Sequence, residues 1–297
     1  MTEFLQQLLN GVSLGAIFAL IALGYTMVYG VLRFINFAHS EIFMLGAYAG
    51  YYAGKLVPEH SRWGGLAVLF IAMAACALIG VVIERFAYRP LRGGPTLNVL
   101  ITAIGVSLLL QNLGQYLFGA TPRPFPELFP VRTFEIGGVF VSSNQLVVIT
   151  VTVALMLALE FIVHRTKIGT AMRAVSLNPK AASLVGINND VVISFTFALG
   201  SALAAAGGIL YSLNYPSIDP LMGVLPGLKA FVAAVLGGIG NIPGAALGGL
   251  LLGVVETFVN GSDQWSTYKD AIAFALLILI LLFRPAGLLG RFTKEKV

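Results

Sequence analysis

Charge is scarce in this 297-residue chain. Its 18 Lys and Arg and 13 Asp and Glu make up 10% of the residues, where a soluble domain carries roughly 25%. Apolar residues make up 58%, and the mean hydropathy is +0.89. So few charges cannot cover a water-exposed surface of this size, which excludes a soluble enzyme. Cysteine occurs once, as Cys76 in an apolar run, so no intrachain disulfide can form and the redox compartment is left open. With three histidines and no His-Glu-x-x-His, a metal site is not expected. No Gly-x-x-x-x-Gly-Lys-Ser/Thr loop occurs, so the chain holds no ATP by that device, and no cofactor is expected on it. No basic and aromatic surface points to nucleic acid. The apolar runs contain almost no titratable groups, which argues against a proton relay.

What the chain has is glycine, 34 residues, and long apolar runs. Small residues let membrane helices approach closely, and about 20 apolar residues cross the hydrocarbon. Runs that qualify are 4–30, 34–54, 64–84, 96–118, 144–163, 191–214 and 266–283. The first lacks a basic flank and is longer than a signal peptide's apolar region, so it reads as a retained span. The stretch 226–259 is too long for one span and is broken by Gly237-Gly238-Ile239-Gly240-Asn241-Ile242-Pro243-Gly244. It reads as two pieces, 226–238 and 243–259. The expected fold is therefore all-α: a polytopic membrane helix bundle of eight or nine segments, one domain over 1–297.

The basic residues fall into two sets if the spans alternate. Arg33, Arg85, Arg89, Arg92, Arg165, Lys167, Arg173, Lys180, Arg284, Arg291, Lys294 and Lys296 form the richer one. Lys55, Arg62, Arg123, Arg132, Lys229 and Lys269 form the other. The positive-inside bias makes the richer set, and the C-terminus, cytoplasmic. Nine crossings put the N-terminus outside, and eight put it inside.

Two loops stand out. The outer one, 119–143, has Pro122, Pro124, Pro126 and Pro130, then an alternating stretch around Gly137-Gly138 that suggests a hairpin. It reads either as a connector or as a docking surface for an extracytoplasmic partner. In the inner one, 164–190, Asn178 is suited to cap a helix with Pro179 at its first position and Gly186 as its stop. This two-turn helix would show Ala181, Ala182, Leu184 and Val185 as a small apolar face for a cytoplasmic protein.

Polar residues inside the spans are few. Asn36-Phe-Ala-His-Ser-Glu41 opens the second span, and Asn241-Ile-Pro-Gly244 partly repeats it. If the repeat holds, two helices begin inside the membrane region, where their N–H groups could meet a substrate anion. Asn36, His39, Ser40, Gly238, Asn241, Pro243 and Gly244 are thus candidates for a translocation path. For Asn36 and His39 the simpler reading is as caps or interfacial groups. Glu41 is expected to pair with Arg33 at the surface. Gln111, Asn112 and Gln115 read as interhelical hydrogen bonds.

Several of these stretches resemble the permease subunits of branched-chain amino acid ABC importers, specifically the H-type subunit. They are Leu23-Gly-Tyr-Thr-Met-Val-Tyr-Gly30 with Ile35-Asn-Phe-Ala-His-Ser-Glu41, Ile83-Glu-Arg-Phe-Ala-Tyr-Arg-Pro-Leu91, Ala181-Ala-Ser-Leu-Val-Gly-Ile187 and Ala233-Ala-Val-Leu-Gly-Gly-Ile-Gly-Asn-Ile-Pro-Gly244. Tyr268-Lys-Asp270 and Arg284-Pro-Ala-Gly-Leu-Leu-Gly290 fit too. Ser40 departs from the pattern, which usually has Gly. The resemblance implies a multi-pass protein of the bacterial inner membrane that pairs with a second, homologous permease. It implies two ATPase subunits that use ATP and Mg, and a periplasmic protein that delivers leucine, isoleucine or valine. It also makes 165–190 the element that seats on an ATPase, with Gly169, Arg173, Asn178, Pro179, Ala181, Ala182, Leu184, Gly186 and Ile187 as coupling residues. A passive channel of the aquaporin type, a permease for urea or short amides, and a secondary transporter are the alternatives.

Overall fold

A computed structural model describes residues 1–57 and 63–290. Of the basic residues used above, Arg62, Arg291, Lys294 and Lys296 lie outside the described residues. Helices dominate: α1 (Thr2–Leu32), α2 (His39–Leu56), α3 (Gly64–Ile83), α4 (Thr96–Phe118), α5 (Ser143–Arg165), α6 (Lys167–Leu177), α7 (Pro179–Leu184), α8 (Asn189–Asn214), α9 (Val224–Gly237), α10 (Ile242–Asn260) and α11 (Lys269–Phe283). Seven are long and apolar enough to cross a membrane: α1, α3 with its extension to Leu91, α4, α5, α8, α10 and α11 with its leading turn. With α2 and the shorter α9, each expected span has its helix, and 226–259 does break into two.

The centre is α1. Its residues from Gly11 to Val28 are almost all buried, and α8 and α10 lie against it. In lipid there is no hydrophobic drive between helices, so packing depends on how near two backbones can come. Glycine sets that limit here. A Cβ on Gly11 would stand 2.8 Å from Val254 Cα, and one on Gly15 would stand 2.8 Å from Leu250 Cα. From the other side, a Cβ on Gly253 would strike the Gly15 backbone and one on Gly249 would strike Ala19. At the far end Gly30 faces Gly240, so α1 and α10 run antiparallel over their length. The outer helices α4, α5 and α11 leave most of their apolar surface bare for lipid or for partner helices.

Side groups sort cleanly between the two ends. Gln6 of α1 donates to Phe140 O (3.0 Å), which places the start of α1 beside the 119–143 loop. There β2 (Thr133–Ile136) and β3 (Val139–Ser142) form the expected hairpin, turned by Gly137 and Gly138 at φ 61° and 82°, the pair of positive values a tight two-residue turn demands. Ser142 then caps α5 in a capping box with Gln145. A second short pairing, β1 (Arg123–Pro124) with β4 (Ser217–Ile218), ties this loop to the chain that leaves α8. At the opposite end Arg33 donates to Ser176 O (3.3 Å), and Asn241 Nδ2 donates to Leu289 O (2.8 Å). Arg85, Arg89, Arg92, Arg165, Lys167, Arg173, Lys180 and Arg284 all sit on elements at this basic end. From β4 the chain descends in irregular form to Gly223, and α9 completes the crossing. The stretch from β4 to Asn260 thus traverses the bundle twice, and α1 starts on the same side as the 119–143 loop.

Replacing Gly15 with Val should cost about 1–3 kcal/mol through overpacking against α10. Gly105→Ala, whose Cβ would meet nothing within 4 Å, should be silent. Melting of the detergent-purified protein checks both; equal melting temperatures for the two variants would show that the α1–α10 contact does not limit stability.

Candidate functional site

The residues 36–41 lie deep in the bundle. His39 begins α2 and packs its ring on Gly24 of α1, eight residues from Leu32 and so about 12 Å inside the basic end. A side chain on Gly24 would collide with that ring. The Tyr25 ring packs against His39 at a tilt of 58°, with centroids 4.6 Å apart. Asn36 is buried and its Oδ1 accepts the Tyr88 hydroxyl at 2.6 Å. Neither residue caps α2; the N-cap position belongs to Ala38, which has no side-chain oxygen to offer. The expectation of caps or interfacial groups is therefore corrected, because the chain turns inward after Arg33 instead of running along the surface. Arg33 itself holds φ 57°, a left-handed value costly for a residue with a Cβ, at that turn.

Glu41 is corrected as well. It is fully buried and makes no pair with Arg33. Its Oε1 accepts from Ser40 Oγ (3.1 Å), Ser107 Oγ (3.2 Å) and Gln111 Nε2 (2.8 Å). Gln111 thus makes the interhelical bond expected of it, whereas Asn112 bonds its own helix at Leu108 O (2.7 Å). A carboxylate in the first turn of a helix is favoured by the helix dipole, and three donors replace much of its water. This network fastens α4 to the start of α2.

A second buried helix start meets the first. Gly223 and Gly227, around the start of α9, lie on Ser40, and a Cβ on Gly227 would strike the Ser40 side chain. Neither α2 nor α9 has a side-chain N-cap. The piece expected at 226–238 is α9, but its start inside the bundle was not foreseen, and the partner role was given to Asn241. In the fold Asn241 is an ordinary N-cap whose Oδ1 accepts from Gly244 N at 3.0 Å, at the basic end of α10. Gly238, at φ 107°, packs there on Gly290, Gly244 on Gly237, and Pro243 is exposed. The candidate path residues therefore split: Asn36, His39 and Ser40 come together mid-bundle, while Gly238, Asn241, Pro243 and Gly244 gather at the end. The apparent repeat places its halves at different depths, because Gly237-Gly238 serves the turn between α9 and α10 and opens no helix inside the bundle. Pro226-Gly227, early in an apolar run, was the available signal for the true second start.

Lys229 is not an outer-loop charge, as the sidedness argument had it. It sits within α9 with its Nζ 2.6 Å from both Glu256 Oε1 of α10 and Asp270 Oδ1 of α11. One ammonium shared by two carboxylates draws three helices together.

At the basic end, α7 follows expectation. Asn178 Oδ1 accepts from Ala181 N (3.1 Å), Pro179 opens the helix, and Gly186 ends it at φ 88°. The longer α6 before it was not foreseen; its start is marked by Thr166, whose Oγ1 accepts from Gly169 N at 3.2 Å. Gly169 lies against the Ile162–Val163 backbone, and Arg173 donates to Val163 O and to Thr170 Oγ1, so both lock α6 to α5. Ala182 is corrected: it is 3% exposed and turned toward the bundle, because only one face of so short a helix can look outward. Leu177, Leu184 and Val185 are 80%, 87% and 76% exposed, with Ala181 beside them and Ile187 half-buried. A helical pair anchored by polar contacts carries a bare aliphatic ridge away from the bundle.

A family profile described as "Branched-chain amino acid transport system / permease component" matches residues 7–281. The chain belongs to that family. The high-affinity branched-chain amino acid transport system permease protein BraD of Pseudomonas aeruginosa is 46% identical to it over 99% of this chain and 98% of that protein. The permease proteins LivH of Salmonella typhimurium and Escherichia coli K12 are 46% and 45% identical with the same coverage. Among solved structures, PsaBC from Streptococcus pneumoniae in complex with Fab has a TM-score of 0.45 and 12% identity, covering 96% of this chain and 91% of that one. Such a likeness bears on neither the fold nor the function of this permease.

Lys229→Met leaves two carboxylates against one another in the bundle and should lower stability by about 3–5 kcal/mol. The triple change with Glu256→Gln and Asp270→Asn should recover most of it. Thermal melts in one detergent decide; a single variant as stable as the parent would refute the pairing as a structural tie.

Proposed function

We propose that this chain is the membrane-spanning permease subunit of an ABC importer that takes up branched-chain amino acids across a bacterial inner membrane. The observation that carries this is the identity of 45–46% along essentially the whole chain to permeases of branched-chain amino acid systems. Those relatives lend no support to a passive channel or to a urea permease. The chain works with a second homologous permease, with two ATPase subunits that use ATP and Mg, and with a periplasmic binding protein. By the positive-inside bias the basic end is cytoplasmic, and with it the segment after α11.

The geometry suits that role. The ridge of Leu177, Leu184 and Val185 is an apolar patch on the side where an ATPase would dock. Because Gly169, Arg173 and Asn178 lock α6 and α7 into a stiff element, a push on the ridge reaches α5 and α8. Mid-bundle, His39 Nε2 and Glu41 Oε2 have no partner among the described residues, and the uncapped turns of α2 and α9 lie beside them. We assign Asn36, His39 and Ser40 to the substrate's path, where a zwitterion finds polar groups without a deep electrostatic well. Gly238, Asn241, Pro243 and Gly244 act at its cytoplasmic mouth.

Leu184→Glu puts a charge on the ridge without touching the bundle. Affinity purification of the tagged permease from cells that make all subunits should recover the ATPases with the parent chain and about tenfold less with the variant, as expected for an interface anchor worth more than 1 kcal/mol. Equal recovery, with equal leucine uptake, would remove α7 from the ATPase interface.

A further inference from the structure

We propose that the π-helical turn Glu84–Tyr88 at the basic end of α3 is the relay that carries motion of α6 and α7 to the buried start of α2, with Glu84, Tyr88 and Arg92 as its positioning residues. This rests on the reading above of α7 as the element moved by the ATPase.

The contacts form an unbroken series. Asn189, the first residue of α8, donates its Nδ2 to Pro179 O at 2.8 Å, which ties α8 to α7. The next residue, Asp190, holds Arg89 and Arg92, with Arg92 Nη1 at 3.0 Å from its Oδ1. Arg92 also grips Glu84, so a single guanidinium bridges the start of α8 and the end of α3. Glu84 is fully buried, and its second oxygen accepts the Ser194 hydroxyl of α8. Four residues on, Tyr88 is fully buried as well, wedged between the rings of Phe34 (5.5 Å) and Phe197 (5.4 Å). Its hydroxyl reaches Asn36 Oδ1 at 2.6 Å, in the segment that leads into His39.

Three physical points make this a relay and not only a brace. A carboxylate is stable without water only with its cation and hydrogen-bond partner in place, so Glu84 must follow Arg92 and Ser194 when α8 shifts. Glu84–Tyr88 is a π-turn, with one residue more than a turn of α-helix, and such turns recur at functional sites. And Asn36 lies between a left-handed Arg33 and a helix start that has no side-chain cap, and among the described residues its one side-chain partner outside its own segment is Tyr88. Moving Tyr88 moves the mid-bundle site.

The complete transporter, with ATPases and binding protein in proteoliposomes, gives the readout: leucine taken up per ATP hydrolysed. Tyr88→Phe keeps the ring packing and removes only the hydroxyl. Glu84→Gln keeps the shape and removes the charge. Each should lower uptake per ATP about fivefold or more while ATP hydrolysis and subunit recovery stay near the parent's. The double variant should be no worse than the more affected single one, since both cut one series. Losses that multiply, or a Tyr88→Phe variant with the parent's ratio, would overturn the relay. Should Glu84→Gln fail to assemble, the Tyr88→Phe ratio decides alone. If the parent transporter hydrolyses ATP without moving leucine, the functional reading fails and not the relay.

Discussion

A Cβ on Gly253 would strike the Gly15 backbone, and one on Gly15 would stand 2.8 Å from Leu250 Cα. In water such contact would be one packing detail among many; in lipid it is the chief source of attraction between helices, since burying an apolar side chain against another gains little over burying it in acyl chains. The meeting of α1 with α10 fixes a central column, and the rest of the bundle is arranged on it. Gly24 on the same column admits the His39 ring, which lets α2 begin inside the bundle. Gly223 and Gly227 admit Ser40, which lets α9 begin beside it. Both interrupted helices are consequences of glycine placed where a neighbour must pass.

Beginning a helix in the membrane interior leaves N–H groups that water cannot reach, and side chains of other helices hold the segment in place without capping it. Ser107 and Gln111 hold Glu41 from α4, and Tyr88 holds Asn36 from the end of α3. Lys229 with Glu256 and Asp270 does the same service for α9, α10 and α11. The chain has few charges, and many of them are spent on joints between helices.

The spans were legible because hydrocarbon thickness imposes a length that composition reveals. The hairpin at Gly137-Gly138 and the short helix α7 were legible because turns and caps are local chemistry: Gly for positive φ, Asn178 and Pro179 for a helix start. What failed was depth. Asn36-Phe-Ala-His-Ser-Glu41 and Asn241-Ile-Pro-Gly244 look partly alike as sequence, yet one lies mid-bundle and the other at the end, and nothing local tells them apart. Their positions are decided by long-range contacts, Gly24 against His39 and Gly290 against Gly238. The partners of Glu41, the inward side of Ala182 and the burial of Lys229 were hidden for the same reason. Only the family resemblance, spread over most of the chain, reached past local chemistry.

The sequence has no Gly-x-x-x-x-Gly-Lys-Ser/Thr loop and few titratable groups along its spans. In the function proposed, the bundle is a set of jointed helices worked through a stiff external handle, α6 with α7, by a motor on other chains. The most direct test is flux of labelled leucine into liposomes that contain the permease alone, compared with liposomes that contain the full set of subunits supplied with ATP. The account predicts accumulation in the second and none in the first; accumulation by this chain alone would contradict it.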